Sequence, residues 1–281
     1  MPERVALCLN SSFLGFFAHA GFLRALTELG VRPVAVSGAS AGALVAGLFA
    51  AGFSPEEMQR LFLSPELRAV FREPGVLWRG LATIFNLPGH TGAIRGDRAL
   101  TLLKQYLGDR RIEDCPKARL ALSVTNLAEG RAELATSGPL AEYILASSTF
   151  PGFFAARSVE QGRYWDGGLA NPLPFDHWLD DPEIDTIILH IVSNPDESAA
   201  LRRGRSQRIS GAMNVAHQAI CGELLRLKTD LARRAGKRLL LLRTLAPRPS
   251  LWHPAQVGAR CLESGAATVA QNRVELAELA S

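Results

Sequence analysis

The amino-acid sequence predicts an α/β protein of three layers (α/β/α), in which helices cover both faces of a central, mostly parallel sheet. Short apolar runs typical of buried strands alternate along the chain with segments whose apolar residues recur at helical spacing. Of the 281 residues, 47% are hydrophobic and 21% are charged, so the chain has enough apolar surface to offset the entropy of ordering it. We therefore expect one domain over residues 1–281.

Local signals predict the elements in order. Strands are predicted at residues 5–9, 31–37, 120–125, 186–192 and 238–245. Helices are predicted at residues 21–29, at 41–51, from the capping box that begins at Ser54, and at 97–107, 209–235 and 256–279. Residues 74–96, rich in glycine and proline, predict a long loop. Its apolar part, residues 76–87, indicates either a lid over a lipid site or a short core helix.

Residues 34–53 carry no charge and are numerous enough to span a bilayer. Because serines and glycines interrupt the run, we interpret it as the end of a buried strand followed by a buried helix. The N-terminal residues lack a basic region followed by a long apolar core, so no signal peptide is predicted. We expect a cytoplasmic protein, with peripheral membrane contact as an open alternative.

Charge and cysteine placement limit the function classes. The four cysteines are widely spaced and form no Cys-x-x-Cys pair, so neither a zinc site nor a disulfide scaffold is expected. No metal or other cofactor is predicted. Residues 201–238 contain ten Lys or Arg against Glu223 and Asp230, which makes this segment strongly basic. It is either a contact surface for an anionic membrane or a solvated helix surface. Nucleic-acid binding is not expected, because no recognition motif accompanies the charge.

A Gly-x-Ser-x-Gly pattern, Gly38-Ala-Ser40-Ala41-Gly42, lies between a predicted strand and a predicted helix. Such a strand–turn–helix can hold a nucleophilic serine at the positive end of the helix, with glycines where the chain packs closely. A serine that merely caps the helix is the alternative. Far downstream, Asp166 precedes Gly167 and Gly168 at the end of an aromatic run, which is also the chemistry of an Asx turn.

These two motifs, in this order, resemble those of the patatin-like phospholipases. Further matching segments include Leu7–Leu9, the run from His19 to Leu26, residues 125–131 and residues 146–154. The resemblance covers about residues 5–195, and we expect residues 196–281 to complete the domain with a strand and helices. It implies a patatin-like fold and a lipid acyl hydrolase in which Ser40 is the nucleophile and Asp166 its general base. The substrate would be a phospholipid or another acyl ester, cleaved through an acyl-enzyme.

One loop departs from the family pattern, which is rich in glycine and supplies backbone N–H groups to an oxyanion hole. Here the loop reads Ser11-Ser12-Phe13-Leu14-Gly15-Phe16. We expect the donors to be the N–H groups of Ser11, Ser12, Phe13 and Ala41, although a bulky residue in place of glycine resists positive φ. The Ser11 and Ser12 hydroxyls either donate in addition or cap the loop. A weakly active or inactive member that binds lipid or a protein partner is the alternative function.

Histidines offer a rival mechanism. His253 follows Asp166 in the chain, in the order serine, acid, histidine that a Ser-Asp-His triad of an α/β-hydrolase would have. Against it, the serine follows only about two strands, which is early for that fold. His19 is interpreted as a structural partner of the first loop rather than as a base.

Overall fold

The computed structural model describes residues 3–194, 209–247 and 254–280. The described strands are β1 (Val5–Leu9), β2 (Ala35–Ala39), β3 (Gly92–Ile94), β4 (Arg119–Asn126), β5 (Arg131–Ala135), β6 (Gly152–Phe154), β7 (Arg157–Val159), β8 (Gly162–Asp166), β9 (Thr186–Ser193) and β10 (Arg238–Leu245). The described helices are α1 (Phe16–Glu28), α2 (Ala41–Ala50), α3 (Pro55–Leu63), α4 (Pro65–Ala69), α5 (Val76–Ile84), α6 (Asp97–Leu107), α7 (Leu140–Ser147), α8 (Ile209–Arg234), α9 (Pro254–Gln271) and α10 (Arg273–Ala277).

A sheet of eight strands forms the centre of the protein. Hydrogen-bonded neighbours follow the order β10-β9-β1-β2-β4-β8-β7, and β5 also pairs with β4. The five strands from β10 to β4 are parallel, whereas β5, β8 and β7 are added antiparallel. Strands β3 and β6 form a separate two-stranded sheet. The predicted, mostly parallel sheet is therefore confirmed.

Alternate residues of the sheet pack into two separate apolar clusters. In β1, Leu7 and Leu9 belong to the larger cluster, whereas Ala6 and Cys8 belong to the smaller cluster on the opposite face. The larger cluster includes side chains of α1, α2, α3, α6, α7 and α9. The smaller cluster is closed by α8 and residues 173–179. Helices thus cover both faces, which confirms the predicted three layers.

Several element boundaries differ from the prediction. Helix α1 begins at Phe16 rather than at residue 21. The prediction missed this first turn because residues 16–20 are all buried and therefore show no apolar stripe. Strand β2 begins at Ala35, after Pro33, which has no N–H to give to a strand ladder. The predicted closing helix is interrupted at Asn272, between α9 and α10. The short strands β3, β5, β6, β7 and β8 were not predicted.

Residues 74–96 are not one long loop. They contain α5 and β3, bounded by Gly75 at φ +76° and by the Pro88-Gly89 pair. The core-helix interpretation of residues 76–87 is also wrong, because Ala82 is the one buried residue of α5. Leu77 and Ile84, by contrast, are 86% and 78% exposed.

The uncharged residues 34–53 contain all of β2 and all of α2. They are a strand followed by a helix, as interpreted from their serines and glycines. Within the described ranges, no helix combines the length and the apolar character that crossing a bilayer requires.

Helices α1 and α9 cross at two glycines. A Cβ at Gly21 would lie 2.0 Å from the carbonyl oxygen of Leu262, and a Cβ at Gly265 would lie 2.0 Å from that of Ala18. Both neighbours are backbone atoms, so no side chain can move aside. The contact between these helices therefore depends on residues without side chains.

We predict that Gly265→Ala lowers the free energy of unfolding by about 1–3 kcal/mol, because the added methyl group forces the two helices apart. Urea unfolding followed by circular dichroism measures it. Gly222→Ala in α8 is the matched control, since nothing lies within 4 Å of its Cβ position, and we expect it to be neutral or to stabilise by about 0.5–1 kcal/mol. Equal unfolding midpoints for Gly265→Ala and the unaltered chain would contradict the close packing.

Candidate active site

Ser40 occupies the tight turn between β2 and α2. Its backbone has φ +55° and ψ −118°, a conformation that costs about 1–3 kcal/mol in a residue other than glycine. The Ser40 N–H donates to Ser147 Oγ at 2.9 Å, and the Ser147 hydroxyl donates to the Ser123 carbonyl at 2.6 Å. These two bonds connect the strained Ser40, through Ser147, to the backbone of β4. The Ser40 hydroxyl makes no helix-capping bond, so the capping interpretation is wrong.

Gly38 and Gly42 leave room for this turn. A Cβ at Gly38 would lie 2.3 Å from the Gly42 carbonyl oxygen, and a Cβ at Gly42 would lie 2.2 Å from the Leu9 carbonyl oxygen. Neither glycine has a positive φ. Both positions therefore require glycine for space, so that the first turn of α2 can approach the end of β1.

Asp166 ends β8 and lies beside Ser40. Its Oδ2 accepts a hydrogen bond from Ser40 Oγ at 2.7 Å, and its Oδ1 accepts one from the Gly168 N–H at 2.7 Å. The second bond is the predicted Asx turn, so one carboxylate serves both roles. The Thr125 hydroxyl and the Thr149 carbonyl fix the Asp166 backbone.

Asp166 is 2% exposed. Burial raises its pKa to about 7, although the hydrogen bonds from Ser40 and Gly168 act in the opposite direction. A carboxyl with a pKa near neutrality can both accept a proton and return it near pH 7.

The two glycines after Asp166 are also required by space. A Cβ at Gly167 would lie 2.0 Å from the Ser123 carbonyl oxygen, and one at Gly168 would lie 2.0 Å from Ser11 Oγ. Ser11 belongs to the loop between β1 and α1, which we call the β1–α1 loop (residues 10–15). This loop therefore touches the Asp166 turn on one side and, through Leu9 and Asn10, the first turn of α2 on the other.

The β1–α1 loop differs from expectation at three residues. The Ser11 N–H donates to the Pro172 carbonyl at 3.0 Å, so this expected oxyanion donor is already engaged. The bulky residue that adopts a positive φ in this loop is Leu14, at +51°. The Ser12 hydroxyl is buried without a hydrogen-bond partner among the described residues, so it does not cap the loop.

Among the N–H groups at this end of the sheet, some lie next to Ser40 or in the β1–α1 loop and have no acceptor in the part of the chain that the structure describes. The Ser12 N–H is one of them. The N–H of Ala41, the first residue of α2, is another, because the first residues of a helix have no intrahelical acceptor by position.

A buried polar chain fixes the start of the β1–α1 loop. His19 Nε2 lies 3.1 Å from the Asn10 carbonyl, His19 Nδ1 lies 2.9 Å from His190 Nδ1, and His190 Nε2 lies 2.7 Å from Thr244 Oγ1. Burial lowers the pKa of His19 to about 3 and that of His190 well below its usual value, so both rings are neutral. His19 is thus a structural partner of the loop, in agreement with the sequence interpretation. His190 was missed, because a lone histidine in a strand carries no signal of its contacts.

Lys228 of α8 was also missed as a site residue. Its Nζ donates to Asn171 Oδ1 at 2.6 Å, to the Leu173 carbonyl at 2.8 Å and to Asp176 Oδ1 at 2.5 Å. The lysine is buried and anchors the chain that follows Gly168.

Most of the described basic residues in the segment 201–238 make hydrogen bonds or ion pairs within the protein. Residues 201–208 lie outside the described residues. Of the six basic residues described beyond them, only Arg234 lacks a partner among the described residues; Arg226, Lys228, Arg233, Lys237 and Arg238 make hydrogen bonds or ion pairs. Contact of this segment with an anionic membrane stays a prediction. His253, the histidine of the rival triad, also lies outside the described residues.

Comparisons with known proteins find a matching family and similar chains. The family model described as patatin-like phospholipase matches residues 7–178. An uncharacterised NTE family protein of Mycobacterium tuberculosis is 32% identical over 173 residues, which cover 61% of this chain and 44% of that protein. The lysophospholipase NTE1 of Yarrowia lipolytica is 27% identical over 172 residues, 61% of this chain and 12% of its own. The chain thus spans less than half the length of these curated relatives.

The fold also has a solved counterpart. The crystal structure of VipD from Legionella pneumophila superposes with a TM-score of 0.53 at 16% identity, covering 96% of this chain and 66% of VipD. Since the family model matches well over half of the residues, the chain belongs to the patatin-like phospholipase family, whose members generally hydrolyse lipid esters.

Proposed function

We propose that the protein is a lipid acyl hydrolase in which Ser40 is the nucleophile and Asp166 is the general base. The observation that carries the proposal is the 2.7 Å hydrogen bond from Ser40 Oγ to Asp166 Oδ2, made by a serine on a strained turn at a helix N-terminus. The family supports the substrate class, an acyl ester of a lipid.

Each half-reaction uses the same two side chains. Ser40 Oγ bonds to the acyl carbonyl carbon while its proton passes to Asp166, giving a tetrahedral oxyanion. When the carbon–oxygen bond to the leaving alcohol breaks, Asp166 returns the proton to that alcohol, and the acyl group remains on Ser40. Water then repeats the sequence, releasing the fatty acid and restoring the Ser40 hydroxyl.

The oxyanion donors that the contacts favour are the N–H groups of Ser12 and Ala41, with that of Phe13 as a further candidate. The positive end of α2 adds to the stabilisation of the negative oxygen. The Ser11 N–H is left out, because it donates to Pro172. Losing one donor typically lowers the rate by about 10²–10³-fold, so we expect a slower hydrolase than one with a full glycine loop.

A member that binds lipid without hydrolysing it is the second candidate function. The observation that favours it is the β1–α1 loop, where serines replace glycines and one expected donor is engaged elsewhere. Chemical labelling of the serine separates the two candidates.

We also propose that residues 1–281 act as a single domain. Strand β10 extends the main sheet beside β9, and α9 packs along α1, so the part beyond residue 195 shares the core with the family-matching part.

The catalytic assignment predicts a pattern of labelling by a fluorophosphonate, read by intact mass and peptide mapping. We expect the label on Ser40 and none in Ser40→Ala. Asp166→Asn should slow labelling by about 10²–10⁴-fold, since the base is lost. His253→Ala is the control and should label like the unaltered chain. Dependence on His253 would instead establish a triad, and a folded chain that takes no label would favour the non-hydrolysing member.

The pH dependence of activity follows from the buried carboxyl. Because Asp166 must be ionised to accept a proton and its pKa is about 7, kcat/KM should rise from pH 5 to pH 9 with an apparent pKa near 7. Hydrolysis of a soluble short-chain ester measures it. A profile that is flat over this range would exclude Asp166 as the base.

The same carboxyl should make stability fall as pH rises. Between about pH 4, its value in the unfolded chain, and about pH 7, the folded protein retains a proton that the unfolded chain has lost. Asp166→Asn has no carboxyl to titrate. The free energy of unfolding of this variant, relative to that of the unaltered chain, should therefore increase by about 2–4 kcal/mol between pH 4 and pH 8. Unfolding both chains in urea at each pH measures the difference, in which all other titrating groups cancel. A constant difference would contradict the raised pKa.

A further inference from the structure

Helix α5 turns an apolar face to solvent. The α5 face consists of large apolar side chains that are between 51% and 86% exposed: Leu77, Trp78, Leu81, Ile84 and Phe85. These residues follow the i, i+1, i+4, i+7, i+8 spacing of one helical face. Such a face normally packs into a core, whereas here it is open.

The opposite side of α5 is firmly attached to the protein. Arg79 Nε donates to the Ala93 carbonyl at 2.8 Å, and its guanidinium pairs with the buried Glu73 at 3.4 Å. Gly80 packs on Ala93, and Ala82 is buried. The polar residue therefore points inward and the apolar residues point outward, so the exposure of the α5 face follows from how the helix is anchored.

The apolar surface continues from α5 towards the proposed catalytic pair. Helix α5 lies against β3 and β6. In β6, the exposed ring of Phe153 lies 6.0 Å from the exposed ring of Phe13 in the β1–α1 loop. Just before β6, the Ser148 hydroxyl donates to the Ser40 carbonyl at 3.3 Å. These contacts connect α5, through β6 and the β1–α1 loop, with the Ser40 turn, whose solvent side we call the mouth of the site.

The sequence on either side of α5 is basic at its exposed positions. No acidic residue occurs between residues 74 and 94, and the exposed Arg72, Arg95 and Arg98 flank that stretch. Asp97, beside them, is paired with Arg157 at 3.2 Å. An apolar helical face with a tryptophan, flanked in sequence by exposed arginines, matches the boundary between the headgroups and acyl chains of an anionic bilayer.

We propose that the α5 face inserts into the surface of an anionic phospholipid bilayer and thereby brings the mouth of the Ser40 site onto the membrane. The identity of the lipid as substrate rests on the proposed function, whereas the binding itself does not require catalysis. A second copy of the chain fits less well, because a symmetric contact would oppose two sets of the same arginines. A protein seated here would also lie across the mouth of the site.

The experiment is flotation with vesicles of phosphatidylcholine alone and with added phosphatidylglycerol, with every chain carrying Ser40→Ala so that hydrolysis cannot alter the vesicles. We expect the parent to float with the anionic vesicles. The double variant Leu77→Ser/Ile84→Ser should lose roughly tenfold or more in affinity, since it removes two inserted side chains. Arg72→Gln/Arg95→Gln should weaken binding to anionic vesicles only.

The matched control is Val274→Ser, which alters a valine that is 83% exposed on α10. It should bind like the parent, and circular dichroism should show every variant folded. As an independent readout, quenching of tryptophan fluorescence by bromine-labelled acyl chains should disappear in Trp78→Phe.

Three results would overturn the inference: no flotation of the parent, equal flotation of parent and Leu77→Ser/Ile84→Ser, or a lipid-free dimer that this double variant dissociates. The proposed function fails separately. Labelling of Ser40 is measured on the chain with its serine, in solution without vesicles. Flotation without labelling would contradict the proposed hydrolase and would still support membrane binding by the α5 face.

Discussion

The candidate site depends on two strands that meet end to end along one edge of β4. Residues 122 and 123 of β4 pair with both β2 and β5, and residues 124–126 pair with both β5 and β8. Since a strand has two edges, β2 and β8 must share the edge that β5 leaves open. They run towards each other, with Ala39 opposite Ser123 and Asp166 opposite Val124. This register brings Ser40 and Asp166, which are distant in sequence, within hydrogen-bond distance.

Two features of this junction lower the stability of the folded protein, and the surrounding contacts offset them. Ser40 has a strained backbone, and Asp166 is a buried carboxyl. The buried hydrogen bonds of His19 and His190 are all satisfied, and their donors and acceptors follow one consistent order. The Asn10 carbonyl can only accept, so neutral His19 donates from Nε2 and accepts at Nδ1 from His190. His190 then accepts at Nε2 from Thr244. Every proton position of this chain follows from one carbonyl, which makes the support rigid.

The sequence was most informative where the chemistry is local. Ser40 and its glycines could be found because a sharp turn requires particular residues at fixed neighbouring positions, whereas the role expected of Asp166 came from the resemblance to the family. The parallel strands were found because each is a short apolar run, although β10, at the edge of the sheet, alternates buried and exposed residues. The register of β8 on β4, the contacts of Lys228 and the pairing of His190 depend on residues far apart in the chain, and no local pattern encodes them. Residues 74–96 misled for another reason: flanking glycine and proline mark the ends of α5 as much as they mark a loop, and an apolar face predicts burial even where it points outward.

The unusual β1–α1 loop is understandable once its neighbours are considered. Ser11 Oγ fills the space above Gly168, and the Ser11 N–H bonds to Pro172, so the loop and the Asp166 turn interlock. A glycine at residue 11 would lack the side chain that makes this contact, and a side chain at residue 168 would collide with it. The left-handed conformation that the loop needs falls on Leu14, whose side chain packs against the core. The serines therefore preserve the approach of the loop to the Ser40–Asp166 pair by contact between side chain and backbone, where a glycine loop would rely on backbone freedom.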